Sequence, residues 1–121
     1  MDEVKKWSRY NFPLFVKEQK MAKNRDKAEP KIQIENDRIR VTKYYFCPGA
    51  ETAFHEHVWD YVIVPQTNGQ LLLIDENGIQ TKAELQKGVP YYRKAGVKHN
   101  VINNGKKDLI FIEIEIKAHT K

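Results

Sequence analysis

Ile110-Phe111-Ile112-Glu113-Ile114-Glu115-Ile116, near the C-terminal end, sets isoleucine at every second position. A period of two is that of a half-buried strand, not the 3.6 of a helix. The same alternation starts at Lys31, where Ile32 and Ile34 interleave with Lys31, Gln33 and Glu35, and it continues with Ile39 and Val41 against Arg38 and Arg40. Between these ends lie further short strand candidates: Tyr61-Val62-Ile63-Val64, Leu71 to Ile74, Ile79 to Leu85, Tyr91-Tyr92-Arg93 and Asn100-Val101-Ile102. Asn68-Gly69, Asn77-Gly78 and Asn104-Gly105 separate them, and Asn-Gly is the dipeptide favoured where both central turn residues need positive φ. Short strands joined in this way predict an all-β fold of antiparallel hairpins, a sandwich or barrel without crossover helices.

The chain has 121 residues, 40% hydrophobic and 31% charged, with 6 Gly and 5 Pro, the balance of one globular domain. Its net charge of +5 raises the question of a nucleic-acid partner. Most of that charge is local: residues 1–27 hold eight basic and four acidic side chains, a net +4, and residues 28–121 hold thirteen and twelve, a net +1. No zinc-finger, RNP or basic-zipper signature accompanies the charge, so no nucleic-acid partner is expected. No apolar run exceeds four residues, which argues against a membrane span or a signal segment and predicts a cytoplasmic protein. Cys47, the single cysteine, cannot form an internal disulfide and is expected to be a small buried hydrophobe beside Phe46.

The chain divides into a basic, partly helical N-terminal arm over residues 1–29 and a barrel over residues 30–121. Asp2-Glu3 ahead of Val4, Trp7 and Tyr10 suits a short helix that Phe12-Pro13 interrupts. Leu14, Phe15 and Met21 are the apolar members of a second turn or two, and the charge-rich stretch from Lys17 to Lys27 reads as solvated. Trp7 and Phe15 are large enough to predict docking of the arm on its own barrel or on a second subunit.

Chemistry concentrates at the histidines. His55 and His57 flank Glu56, and in a strand residues i and i+2 share a face, so both imidazoles can converge on one point. Tyr61 has the same parity and Asp60 the opposite one. His99, on a later strand, could meet the pair across the barrel. Three neutral imidazoles on a rigid wall suit a borderline divalent transition metal such as Fe(II), Zn, Ni, Mn or Cu. His119 is expected to be exposed and without a role.

The stretch Gly49-Ala50-Glu51-Thr52-Ala53-Phe54-His55-Glu56-His57-Val58-Trp59-Asp60-Tyr61, closing at Gly69, resembles the first cupin motif: a glycine, five residues, HxH, an acidic residue and a later glycine. Gly88, Gly96, His99 and Asn103 match the spacing of the second motif, with Lys94 where proline is usual. The run Asp60 to Pro65, together with Tyr91 to Asn103, looks like the small bacterial cupins of β-alanine degradation operons. The resemblance implies a jelly-roll barrel, the cupin double-stranded β-helix, with a metal held by His55, His57 and His99. The glutamate that usually follows HxH after three or four intervening residues is missing: Tyr61 and Val62 stand there, and Asp60 comes one residue early. Either the site is a three-histidine one, as in cupins similar to thiol dioxygenases and diketone-cleaving dioxygenases, or Tyr61 or a bulged Asp60 completes it.

A three-histidine site leaves the metal one unit more positive, which favours direct binding of an anionic substrate. The expected function is therefore that of a metal-dependent enzyme acting on a small, carboxylated substrate. The competing reading is a non-catalytic cupin that binds or senses a small ligand. Tyr61 is the candidate catalytic side chain for proton transfer, or else a core aromatic. Asp60 is expected to orient a histidine or bond a backbone amide. Arg93 would clamp a carboxylate if it faces the cavity. Tyr44, Tyr45 and Tyr92 either line that cavity or are simply strand formers. A homodimer formed through sheet edges is the expected assembly.

Overall fold

The computed structural model describes residues 24–118. The N-terminal helices, the docking of Trp7 and Phe15, and His119 lie outside the described residues. Among the described residues there are nine strands and no helix: β1 (Glu29–Glu35), β2 (Ile39–Phe46), β3 (His55–Glu56), β4 (Asp60–Pro65), β5 (Gly69–Asp75), β6 (Gln80–Leu85), β7 (Tyr91–Arg93), β8 (Lys98–Asn103) and β9 (Leu109–Ile116). They form a five-stranded sheet in the order β1-β2-β9-β4-β7 and a four-stranded sheet in the order β3-β8-β5-β6. All pairings between neighbouring strands are antiparallel. The two sheets enclose a core of Phe46, Ile63, Leu71, Leu85, Val101, Leu109 and Phe111, as expected of an all-β sandwich. No helix here is long and apolar enough to cross a membrane.

The strand that fixes the fold class has its faces reversed relative to the simplest reading of its sequence. In β9 the fully buried positions are Leu109, Phe111, Glu113 and Glu115, whereas Ile110, Ile112 and Ile114 are half-buried and Ile116 is exposed. Leu109 and Phe111 share the parity of the two glutamates, and their pairing with Phe46 and Tyr44 directs that parity into the core. The isoleucines therefore form the outer face beside Val62, Val64 and Val41.

The Asn-Gly turns also differ from expectation. Only Asn77-Gly78 closes a hairpin between bonded neighbours, β5 and β6. Its single left-handed residue is Gly78 at φ 80°, and the Asp75 carboxylate accepts the amides of Asn77 (2.8 Å) and Ile79 (2.9 Å). Asn68-Gly69 and Asn104-Gly105 lead from one sheet to the other, joining β4 to β5 and β8 to β9, and neither glycine has positive φ. Cys47 is exposed, not buried. It ends β2 at a turn, and its thiol donates to Asp26 at 3.4 Å, which raises its pKa.

The two motif regions are laced together. The amide of Gly49 donates to Asn103 O (3.0 Å), that of Asn103 to Ala50 O (2.9 Å) and that of Thr52 to Val101 O (2.9 Å). Further along, His57 N donates to Val97 O (2.8 Å) and Gly96 N to His57 O (2.7 Å). Gly96 sits at φ 100°, a region that a side chain would disfavour, so the glycine lets the turn close against His57. Asn103 is almost fully buried. Its Nδ2 donates to Phe46 O (3.2 Å) and Lys107 O (2.8 Å), and its Oδ1 accepts Gly105 N (3.0 Å). Asn103→Ala would strand these backbone groups, and chemical denaturation should show a loss of about 2–3 kcal/mol with an unchanged m-value.

Candidate metal centre

β3 is only two residues long, yet its register sets the centre. His55 lies directly opposite His99 of β8, and Glu56 opposite Lys98. The histidines therefore meet as lateral neighbours within one sheet, not across the barrel. His57 continues the line, held by the hydrogen bond its amide N–H donates to Val97 O. The imidazoles are mutually edge-on, with centroids 4.6 to 5.1 Å apart. His57 and His99 are buried and His55 is half-buried.

Their Nε2 atoms converge: His55 to His57 is 2.9 Å and His57 to His99 is 3.1 Å. The Nδ1–H of His55 donates to the carbonyl of Ala53 (2.9 Å), which leaves its Nε2 with a lone pair aimed at the other rings. That carbonyl is presented by a left-handed backbone at Ala53, φ 75°, the one described non-glycine residue with positive φ. Burial, with His55, His99 and Arg93 nearby, lowers the pKa of His57 to about 3. Burial, with His55 and Arg93, lowers that of His99 to about 4. Both rings are neutral at neutral pH, and each can present one lone pair to a cation.

The spacing fits a metal. Nitrogens about 2.1 Å from a common ion stand about 3.0 Å apart at right angles and about 3.4 Å apart in a tetrahedron. The observed 2.9 and 3.1 Å lie near the right-angled value.

The other sheet supplies what surrounds the trio. Tyr61 of β4 is buried and stacks on His57, with centroids 4.0 Å apart and planes at 20°. Burial outweighs the pull of Arg93 and raises its phenol to about 12, so it stays protonated. Asp60 has the opposite parity. It accepts Tyr92 Oη (2.5 Å) and the amide of Ala95 (2.8 Å), so it neither binds the centre nor orients a histidine. Tyr44 lines the interior, whereas Tyr45 and Tyr92 are exposed.

Arg93 pairs with Tyr61 and faces inward, while Lys94 is exposed. The chamber that Arg93 lines with the trio and Tyr61 has a volume of only about 30 Å³, room for a water-sized molecule but not for a carboxylate with its carbon chain. Arg93 acts there as a positive charge facing the imidazoles. A larger cavity of about 580 Å³ opens on the other side of His55 and His57, lined by Ile32, Arg40, Glu56, Glu113 and Glu115 among others.

Glu113 is the residue that the sequence reading missed. Its Oε2 lies 3.7 Å from His57 Nδ1, both side chains being buried. Burial and the neighbouring Glu115, against the pull of Arg40, raise its pKa to about 8. The family's usual glutamate is absent after HxH, and a carboxyl from the last strand stands behind the same histidine instead. Its parity with Leu109 and Phe111 was the available signal.

A search against models of known protein families returns no match. The β-alanine degradation protein BauB of Pseudomonas aeruginosa is 48% identical over 93 residues, 77% of this chain and 97% of that protein. A cupin domain (bp2299) from Bordetella pertussis is 47% identical, with a TM-score of 0.76 over 80% of this chain and all of that one. A double-stranded β-helix protein from Klebsiella pneumoniae, 20% identical, has a TM-score of 0.63 and shares the fold. With its two motifs, two sheets and convergent histidines, this chain belongs to the cupin family, among the relatives of BauB.

Proposed function

We propose that this chain is a small-molecule metalloenzyme with a three-histidine centre, His55, His57 and His99, acting on a small carboxylated substrate. The observation that carries this reading is the meeting of three Nε2 atoms, His55 to His57 at 2.9 Å and His57 to His99 at 3.1 Å. A divalent transition metal (Fe, Zn, Ni or Mn) held there would supply Lewis acidity or, as Fe(II), oxygen activation, with positions open to substrate.

The chain's own residues then divide the work. The Ala53 carbonyl fixes the outward nitrogen of His55, and the Glu113 carboxyl stands 3.7 Å from that of His57. Tyr61 holds the plane of His57 by stacking, and its protonated phenol lines the small chamber as a hydrogen-bond and proton donor. The absence of an acidic ligand in the trio favours an anionic substrate group, and the β-alanine context in the name of the P. aeruginosa relative supports a small carboxylate. A cytoplasmic location and a homodimer belong to the same reading. The dimer is supported by β1, an edge strand exposed along its whole length that carries Ile32 and Ile34 at 57% and 47% exposure.

Three outcomes are expected. Protein purified without added metal should carry about one equivalent by elemental analysis, and His57→Ala should lose most of it; a metal-free wild type, or a variant that retains its full complement, would sink the three-histidine centre. Tyr61→Phe should keep its metal yet lose activity by about tenfold or more. The activity to follow is oxygen uptake with small thiols, amino acids and diketones; no uptake with any of them moves the reading to a redox-neutral lyase or isomerase, or to a ligand-binding cupin. Sedimentation should give twice the chain mass, and Ile34→Lys should give the monomer; an unchanged mass in the variant removes β1 from the interface.

A further inference from the structure

His55 is the outermost of the three histidines, half-buried where His57 and His99 are buried. The loop before β3 holds its ring, and one residue of that loop ties it to β8. Thr52 pairs with both polar groups of Val101: its amide donates to Val101 O at 2.9 Å, and its hydroxyl accepts Val101 N at 3.2 Å. The same hydroxyl stands 3.2 Å from His55 Nδ1. The next residue, Ala53, has a left-handed backbone, and its carbonyl accepts from that Nδ1 at 2.9 Å. Thr52 therefore touches the ring directly and anchors the peptide whose carbonyl the ring also uses.

The sense of each hydrogen bond is fixed from the far end. The Glu51 carboxylate can only accept: Lys27 Nζ reaches its Oε2 at 2.9 Å and Asn100 Nδ2 its Oε1 at 2.7 Å. Its backbone is held on both sides, with Ala28 N donating to Glu51 O (2.8 Å) and Glu51 N to Asp26 O (2.9 Å). With the Asn100 nitrogen turned to Glu51, Oδ1 is left facing the Thr52 hydroxyl at 3.5 Å. That hydroxyl has one proton, and its two acceptors, Asn100 Oδ1 and Ala53 O (2.9 Å), have none to give back. Its lone pairs are left for Val101 N–H and for an Nδ1–H of His55. An imidazole protonated on Nδ1 keeps its lone pair on Nε2, the atom that meets His57.

We propose that Thr52 is the positioning residue of this centre: oriented by the chain Lys27–Glu51–Asn100, it holds His55 in the Nδ1–H tautomer and so keeps Nε2 ready for a cation. The consequence for metal uptake rests on the three-histidine reading, whereas the tautomer does not. The chain begins outside the barrel strands. Lys27 precedes β1 and lies beside Glu51 in a parallel bridge, so the lead-in to β1 takes part in setting the centre.

The test is nitrogen NMR of the full-length protein, labelled in its histidines and kept in chelator, with zinc affinity measured separately by competition with a chromophoric chelator. The His55 signals are those lost in His55→Gln, and in wild type they should report the Nδ1–H tautomer. In Thr52→Val the Nε2–H form should rise to about a tenth of the population or more, and zinc affinity should fall about tenfold or more. Thr52→Ser, which keeps the hydroxyl, should match wild type in both. Glu51→Gln, whose amide lets Asn100 turn around, should move both in the direction of Thr52→Val, with a loss of about threefold in affinity. Should Thr52→Val fail to fold, the tautomer in Glu51→Gln decides alone. An Nε2–H tautomer in wild type, a Thr52→Val protein indistinguishable from wild type, a Thr52→Ser protein as impaired as Thr52→Val, or an unmoved tautomer in Glu51→Gln would overturn the proposal. A wild type that takes up no zinc defeats the three-histidine reading alone, since the tautomer is read without metal.

Discussion

The antiparallel pairing of His55 with His99 is the constraint on which the centre depends. β3 has only two residues, too few to hold register by its own ladder, and the bonds on either side secure it: Thr52 to Val101 before it, His57 to Val97 and Gly96 after it. With that register set, the step of two from His55 to His57 brings all three rings to one point. A slip of one residue would turn the histidines to the opposite face. The glycines of the two motifs serve this arrangement, Gly96 by allowing the tight return against His57 and Gly49 by starting the segment that clasps β8.

Three ring nitrogens held close together, with burial keeping the His57 and His99 rings neutral, form a convergent set that suits a cation. The surroundings maintain that condition. The Ala53 carbonyl takes the proton of His55 on the far side of the ring, burial keeps His57 and His99 neutral, and Arg93 adds positive potential that opposes their protonation. The acids stand behind His57, with Glu113 3.7 Å from its Nδ1, and do not contribute to the convergent set. This division, bases converging in front and carboxyls behind, separates the present centre from cupins that bring a glutamate to the metal.

Much of this was legible in the chain. The HxH spacing, the later His99 and the glycines gave both the fold and the trio, because strand parity and turn chemistry are local and survive without knowledge of partners. Asp60 was placed correctly in the outward parity, and its bond to the Ala95 amide follows from that. The wall opposite was not legible. In β9 both parities carry large apolar side chains over Leu109 to Ile112, so alternation alone could not tell which face is inward, and the isoleucines drew the assignment to the wrong one. Likewise Asn-Gly marks a turn but not its destination, and two of the three turns join different sheets.

The sequence by itself determined an all-β chain with three histidines spaced to meet and no glutamate in the usual place after the second of them. Only the tertiary structure decided that two acids of the last strand, Glu113 and Glu115, stand beside the same histidine. The reason is physical: which face of a strand is buried depends on the neighbours it pairs with, and β9 acquires its inward face from Phe46 and Tyr44 of β2 and from Ile63 and Tyr61 of β4, residues some fifty to seventy positions away in the chain.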